Sequence, residues 1–471
     1  MRVTTRAILP VAAVGGLAAL SIAAPAASEA APAVTAATHV THAHAVPDLG
    51  GPILKSKQFP APQTIAQCQA DFGLNCYTPV QLRVAYDLNP RYSGAATGKA
   101  ITGKGRTIVI VDSYGSPTIA ADLHHFDQQF GFPDPTLQIM KFGNVPPFDS
   151  TNATMVGWAE ETSLDVEYAH SIAPGAKIVL AETAVAETEG VTGFPEIMNA
   201  EESLINRGIG DVITQSFGAT ENTFPGFSSG NFSSLLNLRY AFKDALAHNV
   251  TVLGSSGDDG ATDAELDGTT LYPYRVNSWP SSDPLVTSVG GSMLNLNQAG
   301  DKLTPDTVWK DGIGAGGGGV SAIFSRPLYQ IGVRNVVGCH RGTPDISMSA
   351  AVNGGVWVYM SFAGIETLGV SDPGYYIFGG TSEASPIFSG IVALASQAAG
   401  HRLGLINPAL YLMGALSRGG FTRNGIVDIT SGNNSFAGVT GYNAMRGYDL
   451  ASGWGTIDAA KFVPVLAKLS F

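Results

Sequence analysis

The sequence is poor in charged residues, which make up 14% of it against the roughly 25% that is usual for soluble domains. Basic residues are the scarcer kind, since 26 Lys and Arg stand against 38 Asp and Glu for a formal net charge of −12. Because no cluster of basic residues could neutralise a phosphate backbone, nucleic acid is not an expected partner. The 45% hydrophobic content excludes a disordered protein and a coiled coil, and it is enough to build a large core.

Long apolar runs are missing after residue 24, so no later segment is expected to span a membrane. The run at 7–24 follows Arg2 and Arg6 and ends in small residues. This pattern predicts a secretory signal peptide over 1–27 and a secreted, extracellular protein, with a single membrane anchor as the alternative. Residues 28–75 are rich in Ala, Pro, Thr and His and predict a flexible leader or short pro-segment. A solvated tail is favoured over metal binding at His39, His42 and His44.

Cysteine is scarce as well, with three in the chain. Cys68 and Cys76 are close enough to close one small disulfide loop, which fits an oxidising exterior. Cys339 would remain a lone thiol, and we expect it to be buried rather than catalytic because no metal-ligand spacing surrounds it.

After residue 77, short β-branched runs alternate with amphipathic stretches. This rhythm predicts an α/β fold, with a mostly parallel sheet flanked by helices and long loops. The predicted strands are 107–112, 177–181, 211–216 and 250–253, and the predicted helices are 122–130, 158–172, 195–206, 235–248 and 387–399. A glycine run at 312–319 predicts a turn-rich loop, and no Gly-Lys-Ser/Thr follows it to make a phosphate cradle.

The predicted helix at 158–172 places two carboxylates where apolar side chains are expected. At 100° per residue, Glu161 and Asp165 fall in the middle of the apolar face, opposite a polar face. That polar face consists of Glu160, Ser163, Glu167 and Ser171. Burial raises the free-energy cost of charging either acid. A buried pair of this kind is therefore rarely found in a folded protein unless it has a function. A proton-sharing pair able to act as a general base is favoured over an ordinary surface pair.

Two glycine-rich turns could supply the remaining chemistry. Gly379 and Gly380 precede Thr381 and Ser382 at the start of a predicted helix, whose N-terminus offers amide donors. Ser382 is therefore a candidate nucleophile, although a helix cap is the commoner use of such a serine. Asp258 follows an apolar strand and could reach the crevice at the strand's carboxyl end, with a plain Asp-Gly turn as the alternative.

A histidine suited to serine hydrolysis is lacking. His124 and His125 fall on a predicted helix, and no histidine lies in a glycine-rich turn at a strand end. Asp112 ends a predicted strand as a subtilisin aspartate would, but the His-Gly-Thr segment expected after it is missing. A carboxylate must therefore replace imidazole if Ser382 is active.

Taken together, these segments resemble the sedolisins, serine-carboxyl peptidases with a subtilisin-like sheet. The resemblance runs from residue 76 to the C-terminus and predicts a single peptidase domain over 76–471. Its motifs, in order, are Glu161-x-x-x-Asp165, Ser256-Gly-Asp258-x-Gly260, the segments 281–291 and 341–347, Gly380-Thr-Ser382 with Pro386, and the segment 405–411. Each motif is weak alone, whereas their order and spacing are specific.

The resemblance implies a role for each of four residues and peptide or protein substrates. Ser382 would be the nucleophile, Glu161 the general base, Asp165 the residue that shares its proton, and Asp258 the oxyanion donor. Asp258 can donate a hydrogen bond only when protonated. With ordinary carboxyl pKa values of about 4, we expect activity at roughly pH 3 to 5.

The resemblance also implies one structural Ca²⁺ ion in a C-terminal loop. The matching residues are Asp428, Ile429, Met445, Gly447 and Asp449. Carboxylates and backbone carbonyls suit this hard cation, although two aspartates in loops are more often turn formers. Met445 departs from the pattern, since family members commonly have glycine there, and a carbonyl ligand survives that change.

A larger departure lies before the catalytic region. Many sedolisins carry a long folded propeptide, whereas here only residues 28–75 follow the expected signal, so activity would be restrained by this leader or by pH alone. Two other functions stay open: a catalytically silent, calcium-stabilised secreted binding protein on the same fold, and a serine esterase or subtilisin-like hydrolase that uses a histidine. We expect a monomer.

Overall fold

The computed structural model describes residues 59–94, 98–364, 373–418 and 422–470. The expected signal peptide, the first part of the expected leader, and His39, His42 and His44 lie outside these residues. No helix within the described ranges is both long and apolar enough to cross a bilayer.

The strands of the described residues are β1 Cys76–Tyr77, β2 Thr107–Ser113, β3 Leu137–Phe142, β4 Lys177–Thr183, β5 Val212–Gln215, β6 Ala219–Thr220, β7 Thr251–Ser255, β8 Ser278–Trp279, β9 Thr287–Met293, β10 Thr307–Val308, β11 Gly319–Ser325, β12 His340–Thr343, β13 Ile346–Ser349, β14 Gly355–Met360, β15 Gly374–Phe378, β16 Ile426–Val427 and β17 Thr456–Ile457. Eight of them form a central sheet in the order β10-β9-β7-β5-β2-β4-β3, with β13 also paired to β9. Its pairs are parallel except for β10 with β9. The predicted mostly parallel sheet is confirmed.

The helices of the described residues are α1 Ile65–Phe72, α2 Pro79–Ala85, α3 Asn89–Tyr92, α4 Ile119–Phe130, α5 Ala153–Ile172, α6 Phe194–Asn206, α7 Ser233–Leu236, α8 Tyr240–Ala247, α9 Arg334–Val337, α10 Thr381–Ala399, α11 Asn407–Arg418 and α12 Ala459–Leu469. The predicted helix 235–248 is wrong as one element, because a 3-10 turn at Asn237–Arg239 separates α7 from α8.

The central sheet is buried on both faces. Along β2, Ile108 and Ile110 pack into a core shared with α5 and α10, whereas Val109 and Val111 pack into a second core shared with α6 and α8. Alternate residues of a strand point to opposite faces, so a sheet covered on both sides has apolar side chains at consecutive positions. This is why the strands read as continuous apolar runs.

Three neighbouring parallel strands end at the same edge of the sheet. Within the sheet, β2 pairs with β5 and β5 pairs with β7, all parallel. Asp112 lies at the end of β2, Ser216 directly follows β5, and Asp258 lies in the turn after β7. This edge is where parallel α/β sheets place their ligand sites.

Part of the segment predicted as a flexible leader is folded. Helix α1 begins with a capping box in which Thr64 and Gln67 exchange hydrogen bonds, and Cys68 forms a disulfide with Cys76. Both features hold the end of this segment against the core. The pairing of Cys68 with Cys76 agrees with the sequence analysis. The prediction that Cys339 is buried was wrong, because this residue is exposed at the turn before β12.

Candidate active site

Helix α5 carries Glu161 and Asp165 through the interior. Asn152 caps its N-terminus by accepting hydrogen bonds from the Thr154 and Met155 amides, which is the usual role of an N-cap asparagine. Both carboxylates are fully buried, since neither residue exposes any surface. The polar face predicted for this helix is also buried, because other elements surround α5 on all sides. The prediction that this helix is amphipathic was therefore wrong. The predicted burial of Glu161 and Asp165 is confirmed.

The two acids influence each other's charge. Burial is the main cause that raises the pKa of Glu161 well above its ordinary value, and the neighbouring Asp165 raises it further, whereas the Ser382 hydroxyl lowers it. Burial likewise raises the pKa of Asp165, and the charge of Asp112 raises it further, whereas the Ser216 hydroxyl and the neighbouring Glu161 carboxyl lower it. The Ser216 hydroxyl donates to Asp165 Oδ1 at 2.8 Å. A proton shared between the two carboxyls is the arrangement that these opposing effects favour.

Asp112 is a third buried acid that sequence reasoning set aside. It exposes no surface. Burial and then the charge of Glu182 raise its pKa to about 7, whereas the nearby Thr162 hydroxyl lowers it. Its own charge raises the pKa values of Glu161 and Asp165. The signal that could have identified it was its place at the carboxyl end of a buried strand, beside the strand that precedes Ser216.

Ser382 lies in the first turn of α10, which begins at Thr381. The helix starts sharply because Gly380 has a φ of 109°, a region that side chains with a Cβ rarely adopt. Ser382 keeps 5% of its surface exposed, and its hydroxyl lies close enough to Glu161 to lower the pKa of that carboxyl. The serine is therefore placed between the helix N-terminus and the acid pair.

Asp258 is fixed by the residue next to Ser382. Its Oδ1 accepts a hydrogen bond from the Thr381 amide at 2.7 Å and another from the Thr381 hydroxyl at 2.8 Å. Burial is the main cause that raises the pKa of Asp258 to about 6, while the Thr381 bonds lower it. Since Oδ1 already accepts two bonds, Oδ2 is the oxygen that is left to carry a proton.

A narrow cleft joins Ser382 and Asp258. Its other lining residues are Phe217, Gly218, Ser255, Gly257, Asp263, Ser278 and Thr381. The structure thus brings the four sequence-predicted site residues together, with the acid pair behind Ser382 and Asp258 beside it. Sequence reasoning missed Ser216 and Thr381, whose hydrogen bonds to this group become visible only in the fold.

Histidines take other positions. His170 is buried 3.1 Å from Asp127, His124 lies 2.8 Å from Asp134, and none of the residues that line the cleft is a histidine. Among the described residues that line the cleft, the side chains that carry an acid or base group are therefore carboxyls.

The five residues expected to bind calcium come together in two facing loops. The Gly447 amide donates to Asp428 Oδ2 at 2.8 Å, and the Met445 amide donates to Asp449 Oδ2 at 2.7 Å. Asp449 is almost fully buried, as is Ile429 beside Asp428. The other oxygen of Asp449, Oδ1, accepts from the Ala451 and Ser452 amides and the Ser452 hydroxyl. Carboxylate oxygens are ligands of the kind that Ca²⁺ takes.

The curated proteins that are similar to this chain include two from Pseudomonas and Bacillus. Sedolisin of Pseudomonas sp. (strain 101) is 30% identical over 432 residues, which are 89% of this chain and 65% of the relative. Kumamolisin of Bacillus sp. (strain MN-32) is 30% identical over 392 residues, 80% of this chain and 60% of the relative. The chain therefore spans about two thirds or less of the length of these curated relatives. No family model matches it.

One solved structure matches this chain over the whole of its own length. Pseudomonas sedolisin, a serine-carboxyl proteinase solved with two molecules of pseudo-iodotyrostatin, matches 84% of this chain and 100% of its own, at a TM-score of 0.68 and 28% identity. The fold is thus of the subtilisin-like α/β class, with helices on both faces of a mostly parallel sheet. Together with the sequence relatives, this match assigns the chain to the sedolisin family.

Proposed function

We propose that this protein is a secreted serine-carboxyl peptidase that hydrolyses peptide bonds of protein or peptide substrates at acid pH. The observation that carries the proposal is the placement of Ser382 between a buried pair of acids, Glu161 and Asp165, and a third acid, Asp258, that borders the same cleft. The family assignment supports the same activity. Secretion rests on the signal pattern at the N-terminus, and a monomer without nucleic-acid or membrane partners remains a prediction.

In the proposed reaction, Ser382 Oγ attacks the scissile carbonyl carbon while Glu161 takes its proton. The tetrahedral oxyanion accepts a hydrogen bond from the protonated Oδ2 of Asp258. Glu161 then gives the proton to the leaving amine, which leaves an acyl-enzyme on Ser382. Water hydrolyses this ester by the same steps in reverse, with Glu161 again as base.

Asp165 acts through Glu161. Ser216 holds Asp165 Oδ1, so Oδ2 is free for the proton that the two acids share. Before the reaction the pair carries one proton and one negative charge, and a proton on Asp165 leaves Glu161 ionised as the base. When Glu161 takes the proton of Ser382, both acids are neutral and the negative charge passes to the reacting oxygen atoms. The pair thus loses its negative charge as the oxyanion develops, and regains it when Glu161 passes the proton to the leaving amine.

The pH range follows from opposite requirements. Asp258 must be protonated to donate, and its pKa of about 6 means that the donor is lost as the pH rises through that value. The acid pair must carry one negative charge, so activity also falls once the pH is low enough to protonate both Glu161 and Asp165. We therefore expect a bell-shaped profile with an acidic maximum and an alkaline limb near pH 6.

The decisive experiment is a pH series of protein digestion by the purified protein, run beside Ser382→Ala and Glu161→Gln. The parent should digest below about pH 6, Ser382→Ala should be inactive, and Glu161→Gln should lose on the order of 10²-fold to 10⁴-fold in kcat. A folded parent that digests nothing at any pH would favour the silent binding protein. A maximum above pH 7 with an active Glu161→Gln variant would favour a histidine-dependent hydrolase.

We further propose that a structural Ca²⁺ ion is held by the carboxylates of Asp428 and Asp449 and the carbonyls of Ile429, Met445 and Gly447. The ion would join the loop after β16 to the loop before β17 and so stabilise the C-terminal part of the fold. Saturating calcium, at about 100 times its Kd, would add about 2.7 kcal/mol to the free energy of unfolding. Chelator should therefore lower the Tm of the parent and leave that of Asp449→Asn unchanged, whereas a chelator-insensitive parent argues against the site.

A further inference from the structure

The turn that carries Asp258 is held from one side by the glycine run. The Ala315 amide donates to the Asp258 carbonyl at 2.8 Å, and the Gly317 amide donates to the Gly257 carbonyl at 2.7 Å. A Cβ at Gly317 would lie 1.9 Å from the Ser256 carbonyl oxygen, so the two segments meet backbone to backbone. The position of Asp258 therefore depends on where the glycine run is held.

Asn434 ties this turn, the glycine run and a C-terminal loop together. Its carbonyl accepts from the Ala261 amide at 3.0 Å. Its Nδ2 donates to the Gly318 carbonyl at 3.4 Å, and its Oδ1 accepts from the Tyr442 amide at 2.7 Å. Asn434 exposes no surface. The Asn434 side chain thus joins the glycine run to the C-terminal loop, and the Asn434 backbone joins both to the turn that carries Asp258.

The fit around Asn434 is close. A Cβ at Gly260, three residues from Gly257 in the same turn, would lie 2.3 Å from the Asn434 carbonyl oxygen, and one at Gly441 would lie 2.4 Å from Asn434 Oδ1. Removing the amide group would leave the buried Gly318 carbonyl and the partly buried Tyr442 amide without these partners, which is unfavourable. The three segments would rearrange to satisfy those groups.

We propose that Asn434 is a positioning residue for Asp258, an inference that rests on the proposed function. It does not contact the reacting atoms; it holds the turn and the glycine run so that Asp258 Oδ2 points at the developing oxyanion. A misplacement of about 1 Å in such a donor can cost on the order of 10²-fold in rate. Because the oxyanion exists only in the transition state, the loss should appear in kcat rather than in KM.

The test compares Asn434→Ala with Asn424→Ala. Asn424 is a matched buried asparagine of the same C-terminal region, whose side chain bonds Ser417 at 2.7 Å and the Met413 carbonyl at 2.6 Å. Both variants should lose stability, as read by Tm. Only Asn434→Ala should lose about tenfold or more in kcat with KM within about twofold of the parent. Equal kcat values for the two variants would overturn the proposal.

Asn434→Asp tests whether the two hydrogen bonds of the Asn434 side chain are what maintains kcat, because this variant can form them only at low pH. A protonated carboxyl has a donor and an acceptor like the amide, so at low pH it can still bond the Gly318 carbonyl and the Tyr442 amide. Once ionised, it loses the donor. The variant should therefore approach the parent's kcat at the acid end and fall behind it as the pH rises, at pH values where its Tm stays above the assay temperature. A pH-independent ratio to the parent would count against the proposal.

Hydrogen exchange gives an outcome that does not need activity. Amides of residues 256–261 should exchange faster in Asn434→Ala than in the parent or in Asn424→Ala. Unchanged exchange there overturns the inference. Ser382→Ala and the parent, assayed alongside, report separately on the proposed peptidase function.

Discussion

Thr381 is the residue that decides which oxygen of Asp258 can donate. Both its amide and its hydroxyl bond Oδ1, and its hydroxyl also accepts from the Gly257 amide at 3.1 Å. The residue beside the nucleophile thus orients the acid across the cleft. In an ordinary subtilisin-like site the oxyanion donor is an amide side chain, whose N–H group donates whatever the pH.

We predict that Thr381→Val moves the alkaline limb of kcat to higher pH. The Thr381 bonds lower the pKa of Asp258, so removing the hydroxyl raises that pKa and keeps the acid protonated further up the pH scale. The less well oriented carboxyl should also cost about tenfold in kcat, the equivalent of one hydrogen bond of roughly 1.4 kcal/mol. Steady-state kinetics across pH would measure both effects. Thr381→Ser, which restores the hydroxyl, is the control, and a parental limb in the valine variant would refute the assignment.

For single residues, the sequence was enough to predict the acids and the serine of the site, but not the side chains that form hydrogen bonds with them. Glu161 and Asp165 stood out because carboxylates on an apolar helix face need a reason, and a local pattern contains that information. Ser216 and Asn434 did not, because their hydrogen bonds reach partners 51 and 116 residues away in the chain. Cys339 was wrongly expected to be buried, since the sequence does not say which side of a turn faces solvent.

The two helices that carry the reacting groups cross at a glycine. A Cβ at Gly390 of α10 would lie 2.6 Å from the Cβ of Ile172 in α5, closer than side-chain atoms approach each other. The crossing distance between the helix bearing Ser382 and the helix bearing Glu161 is therefore set by the missing side chain.

We predict that Gly390→Ala destabilises the protein although alanine favours helix formation. Helix propensity alone would add about 1 kcal/mol, but the forced separation of α5 and α10 should cost about 1 to 3 kcal/mol more than that gain. Denaturant unfolding measures the difference. Gly332→Ala is the control, because its Cβ would meet nothing within 4 Å. A more stable Gly390→Ala variant would show that the crossing tolerates the extra atom.

Elements were predictable where the chain repeats a simple pattern. Buried parallel strands read as apolar runs, so β2, β4, β5 and β7 were found nearly at their observed bounds. Helix α5 was found, but its apparent polar face was misread, because a central helix that carries a buried polar network shows the same alternation as a surface helix. The leader was predicted flexible from composition, which cannot register that a disulfide holds α1 to the fold.

The molecule as a whole buries many acids that have no basic partner in the described residues. Three of them are Asp112, Glu201 and Asp259, and burial raises their pKa values to about 7, about 8 and about 8. Burial also raises the pKa of Asp258, which borders the cleft, to about 6. A folded pKa above the unfolded value stabilises the fold fully below the unfolded pKa, near 4, and the contribution is lost as the pH rises through the folded pKa. The molecule is therefore suited to acid surroundings independently of its chemistry.

We predict that the Tm is highest at acid pH and falls steadily between about pH 5 and pH 8, with a loss of unfolding free energy on the order of several kcal/mol. Glu201 offers a control that does not line the cleft, since it lies on α6 and accepts a hydrogen bond from Gln215. Glu201→Gln cannot ionise, so it should make the decline between pH 6 and 8 shallower while leaving the pH profile of kcat unchanged. Calorimetry of the parent and this variant across pH decides the matter, because a parent Tm that rises from pH 5 to 8 would mean that these acids are solvated and charged in the folded protein. In that case Asp258, whose pKa is also raised by burial, could not be the neutral hydrogen-bond donor that the mechanism requires.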